Sequence, residues 1–337
     1  MIDIIIPTYK NKEGLMQTLQ SIDWSNKQLH VTIVDDCSNT DYTLIQEQFP
    51  QIEHWIYLPK NCGPGCARQK GIEATNHNYI MFIDTGDYFI PSFSQFLLVN
   101  EIKNNLRIML FNWSYTQNKY KAEPTNNRLH GKIYNRAFIQ DYDITFCPDC
   151  SYANEDIGFN RACRMIIKNL EQKYNITLLK TYSTPMLIWA EDKNSLTNKN
   201  REEFVYKNQN KNLAITDAYA LQIAKKNKVS NTIIQDEVSD IISHMYLSFI
   251  YTAVEAPEFL PQSWEGVKHY YNEVYQFTPI DNEILQLRVS QVASSARKHF
   301  KNKLPPFPIN LRRFIIELGK YDNPPSHFLT TNQLEEL

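Results

Sequence analysis

Two carboxylates, Asp84 and Asp87, follow a short apolar run at residues 79–83 that has the character of a buried strand. Gly86 lies between them and permits a tight turn, and Pro91 ends any continuing strand. Open α/β sheets place ligands at the carboxyl ends of their strands. Two acids there can hold a hard divalent cation together with a phosphate-bearing substrate. The alternative is a surface Asp-Gly turn after a core strand, and the rest of the chain decides between the two.

Two earlier apolar runs, residues 2–9 and 30–38, also end in groups that could do chemistry. Those groups are Pro7, Thr8 and Tyr9 after the first run and Asp35 and Asp36 after the second. Stretches with helical spacing separate the runs about every 25 residues, which predicts a mostly parallel sheet with helices on both faces. Because the carboxyl ends of parallel strands meet at one edge, we expect these groups to converge with the acid pair.

A glycine-rich turn at residues 61–71 precedes the acid pair and leads into a helix. Arg68 and Lys70 follow its Gly-Pro-Gly sequence. Together with the strand ends, this turn could bind a nucleoside, its pyrophosphate and a metal ion. The first strand is not followed by G-x-G-x-x-G, which argues against a nicotinamide enzyme.

Composition limits the classes of protein that need to be considered. The chain has 337 residues and a formal net charge of −2, which gives no global reason to expect attraction to nucleic acid or membranes. It shows no N-terminal secretory signal, and its apolar runs are shorter than a membrane span. We therefore expect a soluble, cytoplasmic protein.

Six cysteines are expected to be reduced in such a protein. Cys62 and Cys66 could form a four-thiolate zinc site with Cys147 and Cys150. Ordinary buried thiols are the favoured interpretation, because Cys62 and Cys66 lie in the glycine-rich turn that could instead bind a nucleotide.

The pattern changes near residue 200. Residues 1–200 alternate between strands and helices, whereas residues 201–337 show helical periodicity and few strands. One apolar stripe consists of Ile234, Val238, Ile241, Met245, Phe249 and Ala253. Further stripes fall at residues 267–277, 284–292 and 311–318. We interpret residues 201–337 as an appended helical domain for acceptor binding or oligomerisation, with a homo-oligomer as one outcome.

Several segments in register resemble the family 2 glycosyltransferases of the GT-A fold, a Rossmann-like sheet flanked by helices. They are residues 4–9, 33–38, 61–68, 79–87 with Pro91, 131–136 and 154–156. The resemblance covers residues 1 to about 197 and leaves out the helical part. Any one of these motifs is weak, but six in the family's order and spacing are specific.

The resemblance implies a role for individual residues. As donor-binding residues it implies Pro7, Thr8, Tyr9, Asp36, Arg68, Asp84 and Lys193. The first four would hold the nucleoside base, Arg68 the ribose or pyrophosphate, and Lys193 would reach the diphosphate from a closing loop. Asp156 and Glu155 would be the catalytic residues, with Asp156 as the base. The alternative is that Glu155 and Asp156 only cap a helix, since acids in a first turn complement its dipole.

One position departs from the family pattern. The metal motif is usually Asp-x-Asp-Asp, and its third acid is Gly86 here. Asp84 and Asp87 remain as ligands for Mn²⁺ or Mg²⁺. Either Asp87 takes over the cation, or diphosphate and waters fill its shell, or metal dependence is weak. Mg²⁺ uses few protein carboxylates, so the loss need not abolish binding.

The resemblance implies transfer of a sugar, with inversion, from a nucleoside diphosphate sugar to an acceptor hydroxyl. A UDP-sugar is the favoured donor, and a surface glycan or its precursor the favoured acceptor. One alternative is a modified base in DNA, as in some phage enzymes of related fold, for which a basic cluster at residues 297–313 could track phosphates. Another is a non-catalytic nucleotide-sugar-binding protein with a decayed metal motif.

Overall fold

The protein is described from a computed structural model, which covers residues 1–99, 106–114, 128–150, 154–190, 209–274 and 320–322. The chain divides into two compact units, Met1–Lys193 and Asn194–Leu337. The predicted division at residue 200, and the roles predicted for the helical part, stay predictions.

The first unit is built on an eight-stranded sheet. Its strands are β1 (Ile2–Thr8), β2 (Leu29–Asp35), β3 (His54–Tyr57), β4 (Tyr79–Phe82), β5 (Tyr88–Phe89), β6 (Ile108–Ser114), β7 (Lys132–Asn135) and β8 (Leu179–Ile188). They are ordered β3-β2-β1-β4-β7-β6-β8-β5. The neighbouring strands from β3 to β4 are parallel, as predicted. The other half is mixed, because β7 runs antiparallel to both β4 and β6, and β5 runs antiparallel to β8. The predicted α/β fold is confirmed, with a sheet more mixed than expected.

Helices cover both faces of this sheet. They are α1 (Lys12–Gln20), α2 (Thr43–Gln48), α3 (Pro64–Ala74), α4 (Pro91–Val99), α5 (Arg136–Asp141) and α6 (Glu155–Tyr174). Alternate residues of β1 point to opposite sides. Ile4 and Ile6 belong to the same buried cluster as Leu15 and Leu19 of α1. On the other side α3 approaches so closely that a Cβ at Gly71 would lie 2.3 Å from Ile5 Cγ2.

One local expectation can be extended, and one is wrong. Pro91 does more than end a strand, because α4 begins there, where a missing N–H costs nothing. Cys62 and Cys66 are not free thiols, since they form a disulfide across the start of α3 with 5.8 Å between their Cα atoms. That spacing suits a disulfide. Cys147 and Cys150 are buried thiols that take no part in a disulfide, and with Cys62 bonded to Cys66 the four-thiolate zinc site is not formed.

The second unit is helical where it is described. Its helices are α7 (Gln209–Lys226), α8 (Asn231–Glu255) and α9 (Leu260–Glu273), with a 3-10 turn at Pro257–Phe259. Five of the predicted stripe residues are buried along α8, namely Ile234, Val238, Ile241, Met245 and Phe249. Phe249 contacts Trp264 of α9 with ring centroids 5.5 Å apart. The side chain of Ala253 lies outside those described. The stripes predicted at 284–292 and 311–318 lie outside the described residues. Among those described, no helix is long and apolar enough to cross a membrane.

Candidate active site

The carboxyl ends of β1, β2 and β4 lie together at one edge of the parallel half. Thr8 pairs with Asp35 in the β1–β2 register, and the Asp36 amide donates to the Thr8 carbonyl at 2.9 Å. Tyr9, directly after β1, is 43% exposed. A large ring is therefore accessible at this edge, where a base could stack on it.

Asp36 holds the glycine-rich turn in place. Its carboxylate is buried, and its two oxygens accept the backbone N–H groups of Cys62 and Gly63, both at 2.8 Å. Gly63 has φ +87°, which favours glycine. Asp36 thus fixes the start of α3 against the end of β2, and both of its carboxylate oxygens are already hydrogen-bonded to that turn.

The acid pair lies on a tight turn after β4. The Asp87 amide donates to the Asp84 carbonyl at 3.0 Å, and Gly86 between them has φ +106°. Thr18 of α1 fastens this turn, because its hydroxyl donates to the Asp87 carbonyl at 2.7 Å and accepts from the Gly86 amide at 2.9 Å. Thr85 donates to the Pro7 carbonyl at 2.6 Å, which ties the turn to the end of β1.

Arg68 is the buried cation at the centre of the site. One guanidinium nitrogen donates to Glu155, and another donates to Asp84 Oδ1 at 2.6 Å. Burial alone would lower the pKa of Arg68, but the two carboxylates outweigh it and raise that pKa. Burial would likewise raise the pKa of Asp84, yet Arg68 holds it below the ordinary value. Arg68 therefore links α3, the metal-motif turn and α6.

The first turn of α6 carries Glu155 and Asp156. Glu155 is buried, and α3 approaches it so closely that a Cβ at Gly65 would lie 2.8 Å from Glu155 Cγ. Burial and then the charge of Glu155 raise the pKa of Asp156 to about 6. No hydrogen bond to the Asp156 carboxylate is found within the described ranges. A half-buried carboxylate with a raised pKa is able to accept a proton near neutral pH.

His130 approaches the acid pair from the turn that precedes β7, the strand next to β4. Its Nε2 lies 3.1 Å from Asp87 Oδ2 and 3.6 Å from Asp84 Oδ2, and its ring stacks on Trp189 with centroids 5.0 Å apart. Burial would lower the pKa of His130, but the two carboxylates raise it. Burial raises the pKa of Asp87, partly offset by His130.

These three residues could hold a metal ion. Each offers one ligand atom, and the three atoms lie within 4.8 Å of one another. Asp87 Oδ2 and His130 Nε2 are buried and make no hydrogen bond of good geometry with other described groups. Two carboxylates and an imidazole form a donor set that suits Mn²⁺, and with added waters Mg²⁺.

A polar cluster on β7 clamps the start of α6. Asn160 Oδ1 accepts from Lys132 Nζ at 3.0 Å and from the Tyr134 hydroxyl at 2.7 Å, while its amide donates to the Asp156 carbonyl at 2.9 Å. Burial lowers the pKa of Lys132 to about 7. These contacts fix the backbone that carries the proposed base.

The structure brings most of the residues named from the sequence to this edge. They are Pro7, Thr8, Tyr9, Asp36, Arg68, Asp84, Asp87, Glu155 and Asp156. Lys193 lies outside the described residues. Sequence reasoning missed His130, Lys132 and Asn160. The available signal for His130 was its position directly before the segment at 131–136, which matches the family.

Residues 3–155 match the model of the family described as "Glycosyl transferase family 2". Among curated relatives, TuaG of Bacillus subtilis, named for teichuronic acid biosynthesis, is 32% identical over 91 residues, which are 26% of this chain and 36% of TuaG. The poly(ribitol-phosphate) beta-N-acetylglucosaminyltransferase TarS of Staphylococcus aureus is 24% identical over 182 residues, 46% of this chain and 31% of TarS. The chain thus spans about a third of the length of these relatives.

A solved structure supports the fold assignment. The crystal structure of S. aureus TarS 1-349 in complex with UDP-GlcNAc superposes with a TM-score of 0.63 at 15% identity, covering 88% of this chain and 92% of that one. At this identity the likeness concerns the fold alone. The match of residues 3–155 to the family 2 glycosyltransferase model and the GT-A fold both agree with the resemblance seen in the sequence.

Proposed function

We propose that this protein transfers a sugar from a nucleoside diphosphate sugar, with a UDP-sugar favoured, to a hydroxyl of a surface glycan or its precursor. The observation that carries this proposal is the bridge from Asp84 through Arg68 to Glu155. It sets the acid pair after β4 beside the start of α6, so that a donor diphosphate and a base can face the same space.

The charges of the site favour a divalent cation. Four carboxylates cluster here, and Arg68 and His130 lie directly against them. The acids are Asp84, Asp87, Glu155 and Asp156. A negatively charged diphosphate would be repelled unless a cation lies between them. Bound by Asp84, Asp87 and His130, Mn²⁺ or Mg²⁺ would neutralise charge that develops on the leaving diphosphate.

The transfer itself needs a base and a positioned donor. The acceptor oxygen attacks C1 of the sugar from the face opposite the diphosphate, its proton passes to Asp156, and the C1–O bond to the diphosphate breaks with its electron pair. Attack from that face inverts the anomeric centre. Arg68 would stabilise the diphosphate, and Tyr9 would stack on the base.

The names of the curated relatives favour a glycan acceptor. TuaG is named for teichuronic acid and TarS for poly(ribitol-phosphate), both anionic polymers. The DNA alternative depends on the basic cluster at 297–313, which lies outside the described residues. Gly86 favours a non-catalytic protein, but the raised pKa of Asp156 favours catalysis.

The test is a thermal-shift screen of UDP-, GDP- and CDP-sugars with and without Mn²⁺, followed by an assay of nucleotide release. A bound donor at 100 times its Kd adds about 2.7 kcal/mol of stability. We expect a UDP-sugar to stabilise the protein only with Mn²⁺, and Asp156→Asn to keep that stabilisation while losing nucleotide release. Donor binding without any turnover in the parent protein would support the non-catalytic alternative, and no binding of any donor would refute the proposal.

A further inference from the structure

The opposite edge of the parallel half holds a second cluster of ligand-type side chains. Four neighbouring segments contribute one residue each at the amino ends of the strands. Asp3 lies at the start of β1 and pairs in register with His30 of β2. Glu53 directly precedes β3, and His77 lies two residues before β4. The length of the strands separates these residues from the candidate active site at the carboxyl ends.

Asp3 fixes the orientation and the tautomer of His77. Its buried carboxylate lies 2.7 Å from His77 Nδ1 through Oδ1, and it accepts the His77 backbone N–H at 2.9 Å and an Arg136 N–H at 2.6 Å through Oδ2. A carboxylate accepts hydrogen bonds, so the ring proton lies on Nδ1 and the lone pair on Nε2 is free to bind. A carboxylate that holds a histidine in this way is the usual outer partner of a metal-ligating imidazole.

His30 lies next to His77 and faces Glu53. Its Nδ1 lies 2.8 Å from Glu53 Oε2, so an ion shared by the two residues would bind His30 through Nδ1. The ring proton would then lie on His30 Nε2, which is buried and makes no hydrogen bond to any described group. The rings of His30 and His77 stack with centroids 3.7 Å apart, which brings the two imidazoles together.

We propose that His30, Glu53 and His77 form a binding site for a transition-metal ion of the Zn²⁺ class. One ligand atom from each of the three lies within 4.8 Å of the other two. Ligand atoms around tetrahedral Zn²⁺ lie roughly 3.4 Å apart, because its bonds are about 2.0 Å long. No pair of these atoms would therefore need to close by more than about 1.4 Å to hold the ion.

The donor set determines the class of ion. Two imidazoles and one carboxylate match borderline ions such as Zn²⁺, whereas Mg²⁺ and Ca²⁺ prefer oxygen ligands. Asp3 is neutralised by Arg136, so Glu53 supplies the uncompensated negative charge of the cluster. The bound ion would join the starts of β2, β3 and β4, and would stabilise the sheet without taking part in sugar transfer.

The experiment is a titration of the full chain, freed of any histidine tag, with Zn²⁺ by calorimetry and with Co²⁺ by visible absorption. The ligand variants are His30→Asn and His77→Asn, because asparagine can still donate to the neighbouring carboxylate. The matched controls are His54→Asn, which removes an exposed histidine next to Glu53, and His130→Asn at the active-site edge. Circular dichroism checks that each variant is folded.

We expect the parent and both controls to bind one Zn²⁺ at this cluster and to melt at a higher temperature with it. Each ligand variant should bind at least tenfold more weakly and lose the melting shift. Equal Zn²⁺ affinity in the parent and in both ligand variants would overturn the site. So would loss of binding in His130→Asn alone, because the ion would then occupy the other edge of the sheet.

Discussion

Replacement of Asp156 by asparagine separates a catalytic base from a helix cap, because the two roles predict opposite effects on stability. A cap stabilises the fold, so its loss costs typically about 1 kcal/mol. If the Asp156 carboxylate is instead destabilised by burial and by Glu155, its replacement by a neutral side chain should stabilise the fold. The structure favours the second case, since burial and Glu155 raise the pKa of Asp156 to about 6 from 3.8.

The size of the effect follows from that difference. A pKa raised by roughly two corresponds to about 3 kcal/mol of preference for the neutral acid, and partial exposure reduces this to about 1–3 kcal/mol. Between pH 3.8 and about 6 the folded protein keeps a proton that the unfolded chain has released. Stability therefore falls as pH rises through this window, and the full cost is present above it. Asp156→Asn should remove the cost above the window and change little below it.

The assay pairs thermal melts at about pH 7.5 and about pH 4 with nucleotide release from the donor. We expect Asp156→Asn to melt higher at the upper pH only, by roughly 2–4 °C per kcal/mol, and to lose ~10²–10⁴-fold in turnover. In the parent, turnover should fall tenfold per pH unit below about 6. The matched control is Glu155→Gln, which removes a charge that raises the pKa of Asp156. The pH below which turnover falls should then move down by up to about one pH unit. A destabilised Asp156→Asn variant with near-parental turnover would refute the reasoning.

Three further predictions concern the contacts that hold the site. Arg68→Met should destabilise the fold by about 3–5 kcal/mol, because it leaves Glu155 buried and unpaired. In denaturant melts, the double variant with Glu155→Gln should lose less stability than the two single variants lose together. His130→Asn should raise the Mn²⁺ concentration needed for donor binding at least tenfold, as measured by calorimetry, whereas unchanged affinity would remove His130 from the metal site. Gly71→Ala should destabilise by about 1–3 kcal/mol, since its Cβ would meet Ile5, and equal melting temperatures would show that α3 can shift.

The parallel half of the fold could be predicted because its signals are local. Residues 2–8, 29–35 and 79–82 are short apolar runs, and each is followed directly by a polar group. Parallel geometry then brings the ends of these runs to one edge without any information on distant contacts. The positions of Asp36, Asp84 and Asp87 follow from that rule alone.

The contacts between these groups could not be predicted in the same way. Arg68 and Glu155 are 87 residues apart, and no periodicity in the sequence pairs them. Their contact depends on α3 and α6 meeting closely at Gly65, where a side chain would collide with Glu155. His130 was missed because β7 is antiparallel and inserts between β4 and β6, against the order of the chain. Such pairing comes from tertiary packing, which a window of neighbouring residues does not contain.

The missing acid at Gly86 is explained by the same tertiary arrangement. The turn after β4 places this residue at φ +106°, a conformation that an aspartate would adopt only under strain. Thr18 holds the turn in that shape from α1, so the position is built for glycine. The third potential ligand comes instead from His130, whose Nε2 lies 3.1 Å from Asp87. The short motif therefore understates the proposed metal site, because a further candidate ligand comes from the turn before β7.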